Sequence, residues 1–284
     1  MVAPAHNRLL AALERWCEAE RAVQSAVLFG SQARAQGQAA AADGWSDIDL
    51  HIITSAADRI EREDWRRHLP DFEFCLQVAR PATGGVRKLT VLLAEGEVDL
   101  VLVPAGKFKL AECAMKLGLH RKLPAVRDPL NRLATIMGGG YRFIKGERRW
   151  GPFYARIVAE LEGYRLDEAA VHRLANVFLC ELLWVLQKIE RGELVAAQRT
   201  LHSTLVETNV LLLHEARVRN GLPTFQQARR VEKLVTPAEL AMITVSARCD
   251  AVELRRAAWQ VFEGLRTLMT KLVPGWTVPP TMIK

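Results

Sequence analysis

The sequence predicts an α+β protein, with a mixed-sheet unit over residues 1–125 followed by an all-α helical bundle over residues 126–284. Three observations lead there. Short apolar runs of strand character crowd the first ~105 residues. Strand patterns stop beyond Lys107, and helical periodicity takes over from about Leu130.

The elements follow in order. Leu9, Leu10, Leu13 and Trp16 recur at helical spacing and predict an opening amphipathic helix. Ser25 to Phe29 is a short apolar run closed by Gly30-Ser31, as when a buried strand enters a tight loop. Gln36 to Gly44, rich in Ala, Gly and Gln, has no apolar face and reads as a loop or short surface helix. Asp47 to Thr54 alternates polar and apolar residues like a half-buried strand. A helix is expected around Asp64 to His68, then a strand over Phe72 to Val78. Lys88 to Ala94 and Val98 to Val103 form a hairpin about Glu95-Gly96-Glu97.

In the second part Pro124 and Pro129 punctuate a connection. Val171 to Ile189 is apolar almost all round, which predicts a central buried helix. Another helix runs from about Leu194 to Arg219. Thr236-Pro237-Ala238-Glu239 is a capping box with Pro at the first helical position, and Pro274-Gly275 ends the last helix.

With 50% hydrophobic and 25% charged residues, the chain has an ordinary globular composition. No uninterrupted apolar run reaches the ~18 residues of a membrane span, and no signal-peptide pattern opens the sequence. Cys17, Cys75, Cys113, Cys180 and Cys249 lack metal or disulfide spacing, so reduced, mostly buried thiols and a cytoplasmic location are expected. The net charge of +7 is uneven: residues 1–125 balance, and the whole excess lies in residues 126–284. A basic half suits a nucleoside triphosphate or RNA, and equally a solvated Arg-rich surface.

Residues two apart on a strand share a face, so Asp47 and Asp49 project together while Ile48 and Leu50 enter the core. Two adjacent carboxylates repel unless a cation lies between them, and hard divalent cations prefer such oxygens. Alone, the pair would read as surface aspartates. It is not alone, because Gly30-Ser31 upstream allows close phosphate approach, and Asp99 stands in a second apolar strand.

Together, Val27-Leu28-Phe29-Gly30-Ser31, Ser46-Asp47-Ile48-Asp49-Leu50 and Val98-Asp99-Leu100 resemble the polymerase-β-type nucleotidyltransferase superfamily. Fifteen residues separate Ser31 from Asp47, somewhat more than is usual there. Phe178 to Trp184, Lys188 to Leu194 and Ala247 to Leu254 resemble the helical domain of the antibiotic branch, most like lincosamide nucleotidyltransferase, with streptomycin-type adenylyltransferases more distant.

The resemblance implies a catalytic domain over residues 1–125 and a helical domain for acceptor binding and possible dimerisation. It also implies two Mg²⁺ ions on Asp47, Asp49 and Asp99, with an NTP, ATP foremost, as co-substrate. A nucleoside monophosphate would pass to a hydroxyl of a small molecule, an antibiotic of lincosamide or aminoglycoside kind. The positive helical half fits a neutral or anionic acceptor somewhat better than a polycation. Two other readings stay open: a toxin-type enzyme acting on tRNA or protein, and a non-catalytic nucleotide-binding module. A homodimer and the absence of a membrane partner belong to the same expectation.

Secondary candidates carry two readings each. Arg34 reaches the phosphates or is an exposed helix Arg; Arg87 and Lys88 are weaker candidates of that kind. Glu181 contacts the acceptor, acts as a base, or pairs with an Arg in a structural salt bridge. His51 shares the Asp47/Asp49 face, but a lone strand histidine is usually not a ligand. Gly138-Gly139-Gly140 reads as a hinge or turn, and Arg142, Lys145, Arg148 and Arg149 as a solvated basic face.

Overall fold

The computed structural model describes residues 4–34, 42–43, 45–225 and 228–278. The Gln36–Gly44 segment lies almost wholly outside these residues. The chain divides into two compact units, Met1–Tyr164 and Arg165–Lys284.

The first unit is α+β. Helix α1 (Pro4–Ala19) leads into strand β1 (Val23–Phe29), then β2 (Ile48–Thr54), the short helix α2 (Ala57–Arg62), β3 (Phe74–Ala82), β4 (Val86–Leu93) and β5 (Gly96–Pro104). Helices α3 (Ala105–Lys116) and α4 (Pro124–Met137), strand β6 (Tyr141–Lys145) and helix α5 (Glu147–Glu160) complete it. The strands form one sheet in the order β3-β4-β5-β2-β1-β6. Among the described residues the β2–β5 pair is parallel and the other pairings are antiparallel, which makes the sheet mixed.

Each sheet face buries its own core. On one face Ala26, Leu28, Leu50, Ile52 and Leu100 meet Leu9, Leu13 and Trp16 of α1, so the opening helical stripe is the cover of the sheet. On the other, Val27, Phe29, Ile53 and Val103 meet Phe108, Trp150, Phe153 and Tyr154 of α3 and α5. With both faces covered, β2 is buried along nearly its whole length.

Several expectations need correction. The helix around Asp64 to His68 is a single 3-10 turn, Trp65–Arg67, and the regular helix is α2 just before it. The third strand begins at Phe74 and runs on to Ala82, turning into β4 through Gly84 and Gly85 at positive φ. Strand signals do not end at Lys107, because β6 pairs with β1. Residues 126–164 therefore stand with the sheet. Cys17 is buried, but Cys75, Cys113, Cys180 and Cys249 are exposed thiols.

The second unit is helical: α6 (Glu168–Glu190), α7 (Leu194–Thr200), α8 (Glu207–Arg219), α9 (Pro237–Ile243) and α10 (Ala251–Leu272). A π-helical turn, Leu201–Val206, joins α7 to α8 in one continuous run. The capping box at Thr236 forms fully, with Thr236 and Glu239 each bonding the other's backbone N–H. Buried Asn209 donates to the carbonyls of Met242 (2.9 Å) and Val261 (2.8 Å), tying α8 to α9 and α10.

Helix α6 is not buried all round. Val171, Ala175, Phe178, Leu182, Val185 and Ile189 face the helical core, while Val177, Leu183 and Trp184 are exposed. By length and composition alone α6 could span a membrane, with a mean hydropathy of 1.5 over its most apolar stretch.

Candidate active site

Strand β1 ends at Phe29, whose register partner on β2 is Asp49. The next residue, Gly30, turns the chain at φ +74° into a 3-10 turn, Gly30–Ala33. A Cβ built on Gly30 would fall on the Asp49 carboxylate, so glycine is required by both conformation and space. The Ser31 hydroxyl that follows is buried and has no hydrogen-bond partner among the described residues. A buried, unpaired hydroxyl is costly, and a phosphate oxygen would satisfy it.

The parallel β2–β5 ladder sets Asp49 directly beside Asp99, and Asp47 stands one residue before β2. One oxygen from each of Asp47, Asp49 and Asp99 lies within 4.8 Å of the others, the arrangement that a hard divalent cation needs. Asp47 and Asp49 are partly exposed, whereas Asp99 is only 1% exposed. At an effective dielectric of about 20, unit charges at such separations repel by about 3 kcal/mol per pair, so the trio favours a bound cation. The same negative field acts on neighbouring Glu97: burial first, then Asp99 and Asp47, push its carboxyl above the usual carboxylate range.

Both oxygens of Asp99 meet protein donors. Thr90 Oγ1 donates to Oδ1 at 2.6 Å, and Lys88 Nζ forms an ion pair with Oδ2. Arg80 Nη2 in turn donates to Thr90 Oγ1 at 2.8 Å. These residues come from β3 and β4, where register pairs Arg80 with Lys88 and Thr90 with Asp99. Arg80 and Thr90 were not anticipated from sequence. The hairpin turn at Glu95-Gly96 fixes which β4 residues oppose Asp99, so the signal for Thr90 was present.

His6 of α1 was likewise missed. Gln32 Nε2 donates to His6 Nε2 at 2.6 Å, which braces the residue next to Ser31. Burial lowers the His6 pKa, and nearby Asp47 opposes that shift.

The remaining candidates fall in different places. Arg34 follows the 3-10 turn, and its guanidinium lies over Gly139, close enough that a Cβ there would sit 3.0 Å from Nη2. The glycine run is thus the end of α4 and its exit, with Gly140 at φ +115°. Glu181 stands on α6 of the helical unit, partly exposed, and forms no ion pair among the described residues. Of the basic cluster, three members serve the fold. Arg142 pairs with Glu14 (2.7 Å), Arg149 pairs with Glu112 (2.6 Å), and Lys145 donates to the carbonyls of Cys17, Glu18 and Glu20.

His51 lies one strand step further along the Asp49 face, fully within the core. Its Nδ1 is 2.5 Å from the Tyr154 hydroxyl, and burial drives its pKa from 6.5 down to about 4. The unfolded chain therefore binds more protons than the folded one between pH 6.5 and 4, and stability falls as pH drops through that window. At most about 3 kcal/mol is involved. Urea midpoints measured across it should decline, and His51→Gln should flatten the decline. Equal slopes for both proteins would place the acid sensitivity elsewhere.

No family model matches the sequence, and no curated protein matches it. Among solved structures, an aminoglycoside 6-adenyltransferase from Bacillus subtilis aligns over 96% of this chain and 93% of its own, at 10% identity and a TM-score of 0.40. A nucleotidyltransferase-like protein from Exiguobacterium sibiricum aligns over 94% of this chain and 75% of its own, at 10% identity and a TM-score of 0.33. Likeness of that degree carries no weight for the site, which stands on its own geometry.

Proposed function

We propose that this protein is a metal-dependent nucleotidyltransferase that passes a nucleoside monophosphate from an NTP, ATP foremost, to a hydroxyl of a small molecule. The observation that carries the reading is the convergence of Asp47, Asp49 and Asp99 within 4.8 Å, beside Gly30 and a buried Ser31 hydroxyl with no partner among the described residues.

Asp47, Asp49 and Asp99 would hold Mg²⁺, two ions in the full reaction. Bound there, such ions neutralise polyphosphate charge and stabilise the entering and leaving oxygens of an in-line displacement. Gly30 lets the backbone approach a phosphate, and Ser31 Oγ donates to it. Arg34, three residues on, adds positive charge at the same turn. Asp99 would share a metal and orient or deprotonate the acceptor hydroxyl. The acceptor is an antibiotic-like molecule of lincosamide or aminoglycoside kind. Two copies of the chain, acting in the cytoplasm without a membrane, complete this reading.

The test is to incubate the purified protein with each NTP, Mg²⁺ and a panel of hydroxyl-bearing antibiotics, and to follow pyrophosphate release. Release that depends on Mg²⁺ and one acceptor is expected. Release only with RNA or a protein acceptor would replace the small-molecule acceptor with a macromolecular one. No release with any pairing, by a protein shown to be folded, would defeat the enzymatic reading.

A further inference from the structure

We propose that Lys88 is a resident counter-ion of the acidic trio, displaced from Asp99 when a divalent cation binds and passed to the polyphosphate of the nucleotide. The inference rests on the nucleotidyltransferase reading and assigns a role within it to a residue outside the acidic motif.

Asp99 has both carboxylate oxygens engaged, one by Thr90 and the other by Lys88, and only 1% of its surface is exposed. Each Asp99 oxygen keeps a lone pair for a metal, but a divalent cation on the side of Oδ2 would stand against the Lys88 ammonium, and that like-charge contact favours the departure of the ammonium. Thr90 is fixed from behind by Arg80 at 2.8 Å and sits in the sheet interior. Among the described residues Lys88 forms one ion pair, through a flexible stem, and its side chain is 30% exposed. Lys88 is therefore the partner that yields.

The displaced ammonium has a destination. Arg80 and Lys88 are register partners across β3 and β4, so two cations stand side by side at the edge of the trio. While Lys88 holds Asp99 it offsets one of three clustered negative charges. Once released, it and Arg80 form a positive pair that calls for a polyanion. Metal and polyphosphate binding then favour each other, because each takes one half of a pre-existing ion pair.

The test measures binding rather than turnover. Mn²⁺ affinity is read without nucleotide by water-proton relaxation. Inorganic tripolyphosphate affinity is read by calorimetry in EDTA. In Lys88→Met, Mn²⁺ should bind about tenfold tighter and tripolyphosphate about tenfold weaker, the scale of losing one charge-assisted contact. Lys88→Arg retains the charge and should resemble wild type in both, which guards against a folding defect. A merely structural lysine would weaken both ligands or neither. Unchanged or weaker Mn²⁺ binding in a folded Lys88→Met overturns the proposal, as does unchanged tripolyphosphate binding. Failure of Mn²⁺ to bind any of the three proteins would instead defeat the nucleotidyltransferase reading, and this inference with it.

Discussion

Replacing Asp47 by Asn will lower Mg²⁺-dependent nucleotidyl transfer about a thousandfold or more, the scale on which losing a group that stabilises transition-state charge acts. The substitution keeps shape and removes one of three carboxylates held within 4.8 Å. Because those charges repel when no cation is bound, thermal stability of the metal-free variant should hold or rise slightly. This combination separates a metal ligand from a structural acid, whose loss would lower the melting temperature. Normal pyrophosphate release by the folded variant would sink the metal assignment.

The second large effect is expected at Gly30. Alanine there meets two obstacles together: a backbone at φ +74°, which costs a non-glycine residue about 1 kcal/mol, and a Cβ directed onto the Asp49 carboxylate. The chain can relieve the clash only by moving Asp49 or the 3-10 turn that carries Ser31. Either movement breaks the trio or the phosphate contact. Turnover should drop at least about a hundredfold, with a loss of Mn²⁺ affinity if Asp49 is what gives way. Turnover within twofold of wild type would mean that the turn has slack the geometry does not suggest.

The acidic site was largely legible in the sequence, for a simple reason. Strand alternation put Asp47 and Asp49 on one face from pattern alone and marked Asp99 as an acid in a second apolar strand, whereas the register that sets Asp99 beside Asp49 comes from the parallel β2–β5 ladder. What escaped reading depends on contacts between distant segments. His6 reaches the site because α1 covers the opposite face of the sheet, and no local spacing announces that. Arg80 acts through Thr90 across two strand pairings. Tyr141–Lys145 is five residues with weak alternation, and it becomes a strand because β1 offers an open edge. Helix α6 misled in the other direction: its composition reads as buried on all sides, yet only one stripe faces the core. Composition counts apolar residues, and burial depends on whether a neighbour meets them.

The late strand has a consequence for how this protein is made. Strands β1 to β5 have all left the ribosome before residue 141 emerges, so β1 must wait with one row of N–H and C=O groups unanswered. A bare edge of that kind is a template for pairing with another chain. During synthesis, and in any fragment cut where the strand pattern appears to end, the sheet that bears the acidic trio is open to misassociation. Tyr141–Lys145 acts in that sense as the fold's own clasp, and its arrival sets the moment at which the sheet becomes safe.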